Sequence, residues 1–265
     1  MGKRIYLAII WTITIFCIGL GCFHNNGFNG HFFFGFNGTK SYDNVKDFDT
    51  STERTTEDTG EKGTHIYEQP FTNLVIECDV ADITIKKGNT LSCDYRIAKR
   101  TTYSFDWKQD NEGTAYITLK NKKSFNNNGS SFVIYIPSDV NLSSVTIQND
   151  VGDTSLENVS IDTISINSDV GDIDLKHVTT KDTTLDTDTG DVDVKSTSFQ
   201  NLTATLDVGD CTLKDVDTEN YNLDLSADIG DIEVDGDTHR SEYTVNNGLS
   251  QNLSVSCSVG EIEID

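Results

Sequence analysis

Val151-Gly152-Asp153, Val170-Gly171-Asp172, Thr189-Gly190-Asp191 and Val208-Gly209-Asp210 recur at intervals of 19 residues, Ile229-Gly230-Asp231 follows after 21, and Val259-Gly260-Glu261 after 30 more. If each interval is one turn of a coil of strands, Asp153, Asp172, Asp191, Asp210 and Asp231 form one column. Asp150, Asp169, Asp188, Asp207 and Asp228 form a second. Neighbouring carboxylates in such columns lie ~4.8 Å apart and repel by roughly 1 kcal/mol in water, or about 3–4 kcal/mol at an effective dielectric near 20. Backbone N–H groups at the corner, raised pKa values, or a bound cation such as Ca²⁺ would each offset that repulsion. The first is the expectation, because the Gly-Gly-x-Gly-x-Asp nonapeptide of calcium-binding β-rolls is absent. No metal site and no cofactor is therefore assigned.

Other side chains that could do chemistry are scattered. His24 and His31 fall near the N-terminal apolar run, and His65, His177 and His239 are isolated, none beside a Ser or Cys in a nucleophile arrangement. Acid pairs are too abundant to mark a glycosidase. A polysaccharide lyase needs a base, and residues 141–265 offer only Lys176, Lys181, Lys195, Lys214 and Arg240. No catalytic residue is assigned, and the chain is read as a non-enzyme. Cys17 and Cys22 lie in or beside the apolar run, while Cys78, Cys93, Cys211 and Cys257 are spread through the remainder without zinc-type spacing. Buried thiols are the favoured reading, with a Cys78–Cys93 disulfide as the alternative.

The elements that must position the repeated acids are strands. After each Gly-Asp, Ile173, Val192, Cys211, Ile232 and Ile262 share one position, and Leu175, Val194, Leu213, Val234 and Ile264 share the position two residues on. Before it, Val145 and Ile147, Ile164 and Ile166, Leu223 and Leu225, and Leu253 and Val255 repeat the pattern. Period-two alternation marks a strand with one buried face. A fixed period near 20 marks a solenoid whose units bury their apolar faces by stacking. The expected fold is all-β: a parallel β-solenoid, or β-helix, of rungs about 19 residues long, each a strand, a Gly-Asp corner and a strand. Cys78-Asp79-Val80-Ala81-Asp82-Ile83 aligns with Cys257-Ser258-Val259-Gly260-Glu261-Ile262 as a degenerate copy. Between the copies, 103–107, 115–119 and 132–136 read as longer strands of a capping sheet. The 238–250 stretch reads as an outward loop, and the strand before Asp265 as an open end for a partner or second copy to cover.

Composition agrees with strands and narrows the partners. The 265 residues carry a net charge of -23. Residues 141–265 hold 27 Asp plus Glu against 5 Lys plus Arg, or -22, so the excess is concentrated in the repeats. Such a surface repels nucleic acid, which needs basic side chains to displace its counterions. A cationic peptide, protein or cell-wall ligand is the easier partner.

Residues 5–23 contain no charge and are long enough to span a bilayer, with Lys3 and Arg4 ahead of them on the side the positive-inside rule keeps in the cytoplasm. The expectation is a single transmembrane helix in a 1–23 anchor, with everything after it extracellular. A cleaved signal and a lipoprotein signal ending at Cys22 remain as alternatives. Residues 24–65 form a segment rich in Phe, Gly and Asn, read either as interfacial or as a spacer, followed by a polar linker. The solenoid is expected over 66–265, less regular at 66–144 and regular at 145–265.

An apolar N-terminal run, strand repeats bearing Ser/Thr-Asp-Val-Gly-Asp-Ile, and the lead-in Phe132-Val-Ile-Tyr-Ile-Pro137 together resemble the "putative adhesin" family of bacterial β-strand-repeat surface proteins, a domain of unknown function. The resemblance covers about 66–265 and implies a cell-envelope location, on the cell membrane. The functional expectation is a cell-surface module for adhesion, envelope-stress sensing or ligand binding through its acidic repeats. A carbohydrate-active enzyme on a β-helix scaffold and a purely structural spacer are the alternatives. Oligomeric state is left open.

Overall fold

The computed structural model describes residues 52–55, 61–98, 102–123 and 129–265. The expected membrane helix and the Phe/Gly/Asn segment lie outside them. Among the described residues no helix is long and apolar enough to cross a membrane.

The irregular first part comprises β1 (Thr52–Thr55), β2 (Glu61–Ile66), β3 (Asn73–Val80), β4 (Asp82–Gly88), β5 (Ser92–Ile97), β6 (Thr102–Gln109), β7 (Thr114–Lys123) and β8 (Ser131–Pro137). Four regular rungs follow, each a long strand and a short one: β9 (Leu142–Val151) with β10 (Thr154–Glu157), β11 (Ile161–Val170) with β12 (Ile173–Lys176), β13 (Asp182–Thr189) with β14 (Val192–Lys195), and β15 (Asn201–Val208) with β16 (Cys211–Lys214). The chain closes with β17 (Asn222–Val234), β18 (Asp237–Val245), β19 (Asn252–Val259) and β20 (Ile262–Ile264). The long strands pair in parallel with their counterparts one rung away, and so do the short ones. The parallel β-solenoid is thus observed, with a long-strand face and a short-strand face joined at the Gly-Asp corner.

In-register pairing turns the sequence alternation into ladders. Ile76, Ile147, Ile166, Leu185, Ala204, Val255 and Leu225 form one interior row of the long face. Ile85, Leu156, Leu175, Val194, Leu213, Ile264 and Val234 form one of the short face. All are buried, and each large aliphatic contributes about 1.5–3 kcal/mol by leaving water.

Two departures from sequence order appear. The rung made of β19 and β20 does not end the stack; it lies between β15/β16 and β17. The expected outward loop at 238–250 is largely β18, which folds back antiparallel along β17. The two departures have one cause. Asp235 (φ 52) and Gly236 (φ 83) both take left-handed backbone between Val234 and Asp237, the geometry of a two-residue hairpin turn. The hairpin occupies the outer edge of β17, so the last rung can only join its inner edge. Asn252 fastens the insertion: its side-chain amide donates to Asn201 Oδ1 at 2.8 Å, and Asn222 donates to Asn252 Oδ1 at 3.0 Å. The expected open end at Asp265 is therefore not an end. At the other extremity the order also inverts, with β7 and β8 stacked outside β3 and β4 and edged by antiparallel β5 and β6. The two extra residues before Gly230 are taken up near a 3-10 turn at Thr218–Asn220.

Two stability predictions follow from these ladders. An alanine Cβ at Gly190, whose φ is +150, would sit 2.1 Å from the Gly171 carbonyl oxygen. Gly190→Ala should therefore destabilise by roughly 2–4 kcal/mol, whereas Gly236→Ala, with nothing within 4 Å, should cost about 1 kcal/mol. Equilibrium denaturation of the two variants checks this. The hydroxyl of buried Thr187 has no hydrogen-bond partner, and its row carries buried Ser168 and Asn149 on one side and apolar Leu206, Cys257 and Ala227 on the other. Thr187→Val removes that unpaired group at nearly constant volume and should raise stability by about 1 kcal/mol, read as an increase in Tm.

Candidate ligand-binding ridge

The Asp-Val-Gly-Asp corner is built by close approach. Gly152, Gly171, Gly190, Gly209 and Gly230 have φ between +132 and +155, and in each the place of a Cβ is within 2.2 Å of a neighbouring rung's carbonyl oxygen. Only glycine fits such a column. Ala81 stands at the equivalent place in the β3/β4 rung, where the backbone is not left-handed, which is why the degenerate copy tolerates a methyl group there.

This approach sets each corner carboxylate against the next backbone. Asp172 N–H donates to Asp153 Oδ1 at 3.1 Å, Asp191 N–H to Asp172 Oδ1 at 2.9 Å, and Asp210 N–H to Asp191 Oδ1 at 2.8 Å. Asp153 N–H donates to Asp82 Oδ1 at 3.3 Å, extending the column one rung below the repeats. Backbone N–H groups thus offset carboxylate repulsion, as the sequence suggested. The column differs from expectation at its far end. Glu261 N–H, not that of Asp231, donates to Asp210 Oδ1 at 2.8 Å, because the inserted rung separates Asp210 from Asp231. Asp231 instead faces Arg240 across the β17–β18 pair.

The second column, just ahead of the corner, contains Asp150, Asp169, Asp188 and Asp207. Ser258 then takes the place between Asp207 and Asp228, again through the insertion. Partial burial holds the carboxyls of Asp150, Asp169 and Asp188 above the usual range, and neighbours in the column add to it: Asp79 for Asp150, Asp150 and Asp188 for Asp169, Asp207 for Asp188. Lys120 partly opposes the shift at Asp150 and pairs with Asp79 at 3.2 Å.

Between the two acidic columns runs a row that sequence reasoning missed. Val80, Val151, Val170, Thr189, Val208, Val259 and Ile229 are in register. Val151 is 43% exposed, Val170 47%, Val208 40% and Ile229 47%. The signal was present as the aliphatic residue before each Gly-Asp, but alternation alone does not say that a corner turns it outward. The ridge therefore presents a row with one side chain per strand spacing (~4.8 Å), aliphatic except at Thr189 and flanked by carboxylates.

The remaining candidates sit elsewhere. His65 packs edge-on against Tyr67 at 4.7 Å, His239 stacks on Tyr243 at 3.9 Å, and His177 is a left-handed corner residue after β12. Cys78, Cys93, Cys211 and Cys257 are buried free thiols, so the Cys78–Cys93 disulfide is not formed. Burial pushes the Cys78 thiol up to about 12 and Cys257 to about 11, which keeps both protonated.

The raised carboxyls fix a pH dependence. Asp150, Asp169, Asp188, Asp174, Asp193 and Glu261 all titrate higher than in the unfolded chain. In the window between unfolded and folded pKa the native state binds more protons. Stability should therefore rise as pH falls from 7 through the folded values, levelling off near the ordinary carboxylate pKa of about 4. A thermal-denaturation series from pH 7 to roughly pH 4.5 is expected to show increasing Tm.

No curated protein significantly matches the chain. Among solved structures it is similar to a "putative cell adhesion protein" from Clostridium sporogenes, at 10% identity and a TM-score of 0.47 over 78% of this chain and 99% of that one. It is also similar to a "putative adhesin" from Bacteroides fragilis, at 14% identity and a TM-score of 0.41 over 79% and 99%. A "putative lipid binding protein" from Parabacteroides distasonis matches at 11% identity and a TM-score of 0.27 over 80% and 100%. Likenesses this distant say nothing about ligand or activity. The family match is of another order, running through the whole ladder from Phe71 to Ile264, and the chain belongs to the Toastrack DUF4097 family over residues 71–264.

Proposed function

We propose that this chain is a non-enzymatic cell-surface module, held at the membrane by its apolar N-terminal run, that captures cationic ligands along the corner ridge in adhesion or in sensing envelope stress. The observation that supports this reading is the exposed row Val151, Val170, Val208 and Ile229 lying between two carboxylate columns. Aliphatic contact supplies affinity at short range, and the carboxylates attract and align positive charge. An amphipathic peptide with lysines beside leucines matches both features.

The test is titration of the protein with a Lys- and Leu-rich amphipathic peptide and with its Glu-for-Lys counterpart, at roughly 0.05 M and 0.5 M salt. The Lys peptide should bind at low salt and weaken about tenfold or more at high salt, and the Glu peptide should not bind. The double variant Val170→Asn with Val208→Asn should lose affinity without losing the salt dependence. Absence of binding at either salt concentration would leave the solenoid as a spacer.

A further inference from the structure

The short-strand face carries a second, oppositely charged feature. Lys176, Lys195 and Lys214 are in register on β12, β14 and β16, so three of the five basic residues in 141–265 stand in one column. Lys181 is paired with Asp162 at 2.9 Å, and Arg240 faces Asp231. The three column lysines are exposed, and among the described residues none of them forms an ion pair. One step back along the same strands, Asp174 and Asp193 are in register and also point outward. Together these side chains line a shallow depression of about 340 Å³ whose floor is the strand backbone at Leu175 and Val194, the side chains of those two residues being buried in the core.

The two rows lie two residues apart along the strands, roughly 6–7 Å, and that separation defines a ligand. Three ammoniums stacked ~4.8 Å apart repel one another, and Asp174, Asp193 and Glu157 only balance them overall. A singly charged carboxylate gains little there. A phosphate, with up to two negative charges and several acceptor oxygens, can bridge adjacent lysines, for which Lys is a common partner. The carboxylates beside it are acceptors without donors, and ligand hydroxyls would satisfy them. The volume lies at the lower end of the range for small-molecule sites. A long polyanion would meet the carboxylates at the corners and in the neighbouring rungs, whereas a small one stays within about a Debye length of the lysines, ~8 Å at physiological salt.

We propose that this depression binds a small phosphorylated polyol or sugar, with its phosphate on the Lys176–Lys195–Lys214 column and its hydroxyls on Asp174 and Asp193. The site is separate from the corner ridge and does not depend on the function proposed there.

Calorimetric titration of the protein with glucose 6-phosphate, glucose, inorganic phosphate and a polyol-phosphate polymer tests it. Glucose 6-phosphate should bind at least about tenfold more tightly than inorganic phosphate, with glucose silent; tighter binding of the polymer would overturn the assignment to a small ligand. Lys195→Gln should weaken glucose 6-phosphate about tenfold or more, while Lys181→Gln leaves it unchanged. Asp193→Asn should weaken glucose 6-phosphate but not inorganic phosphate. Melting curves of each variant establish that it is folded. No binding of glucose 6-phosphate by the wild-type protein, equal binding by folded Lys195→Gln, or inorganic phosphate binding as tightly as the sugar phosphate would each overturn the proposal.

Discussion

The contact on which the structure depends is glycine backbone against glycine backbone. At the corner each carbonyl oxygen occupies the space that a Cβ on the next rung would need, so a whole column of positions is restricted to the one residue without that atom. This approach holds the rungs in register. It brings each corner N–H to the carboxylate of its neighbour, aligns the interior aliphatic rows, and turns the residue before each glycine outward. The acidic ladders and the exposed valines are two results of the same close packing.

Carboxylate stacking need not be read as a demand for metal. A corner aspartate that accepts a backbone N–H has part of its charge compensated by a dipole that cannot diffuse away. The second column lacks that device, and its middle members resist ionisation instead. Two columns only a few residues apart thus differ: in one, hydrogen bonds offset the repulsion, and in the other, partial burial with the neighbouring carboxylates added raises the carboxyl pKa.

The regular repeats were readable because stacking writes itself into sequence as period: 19-residue spacing gave the rungs, alternation gave the interior rows, and Gly-Asp gave the corners. Order among the rungs was not readable that way. Every rung has a similar edge, so periodicity cannot say which edges meet. The local cue to the hairpin that pushes the last rung inward is the Asp235-Gly236 pair, which the outward-loop reading of 238–250 passed over. The basic column was hidden for a related reason. Lys176, Lys195 and Lys214 looked like a scarcity when counted, and become a column only when the 19-residue period is applied to them as well as to the acids.

The insertion of β19 and β20 changes what the repeat means for assembly. In an ordinary solenoid, neighbours in space are neighbours in sequence, and a unit can add as soon as it is made. Here Asn201 must wait for Asn252, 51 residues later, and β17 is isolated from the earlier rungs until that later segment slots in. Loss of residues 252–264 would not shorten the stack by one layer; it would open a gap in its interior and leave the β17–β18 hairpin without a platform. The final segment acts as a keystone, so completion of the fold reports completion of the chain through that point.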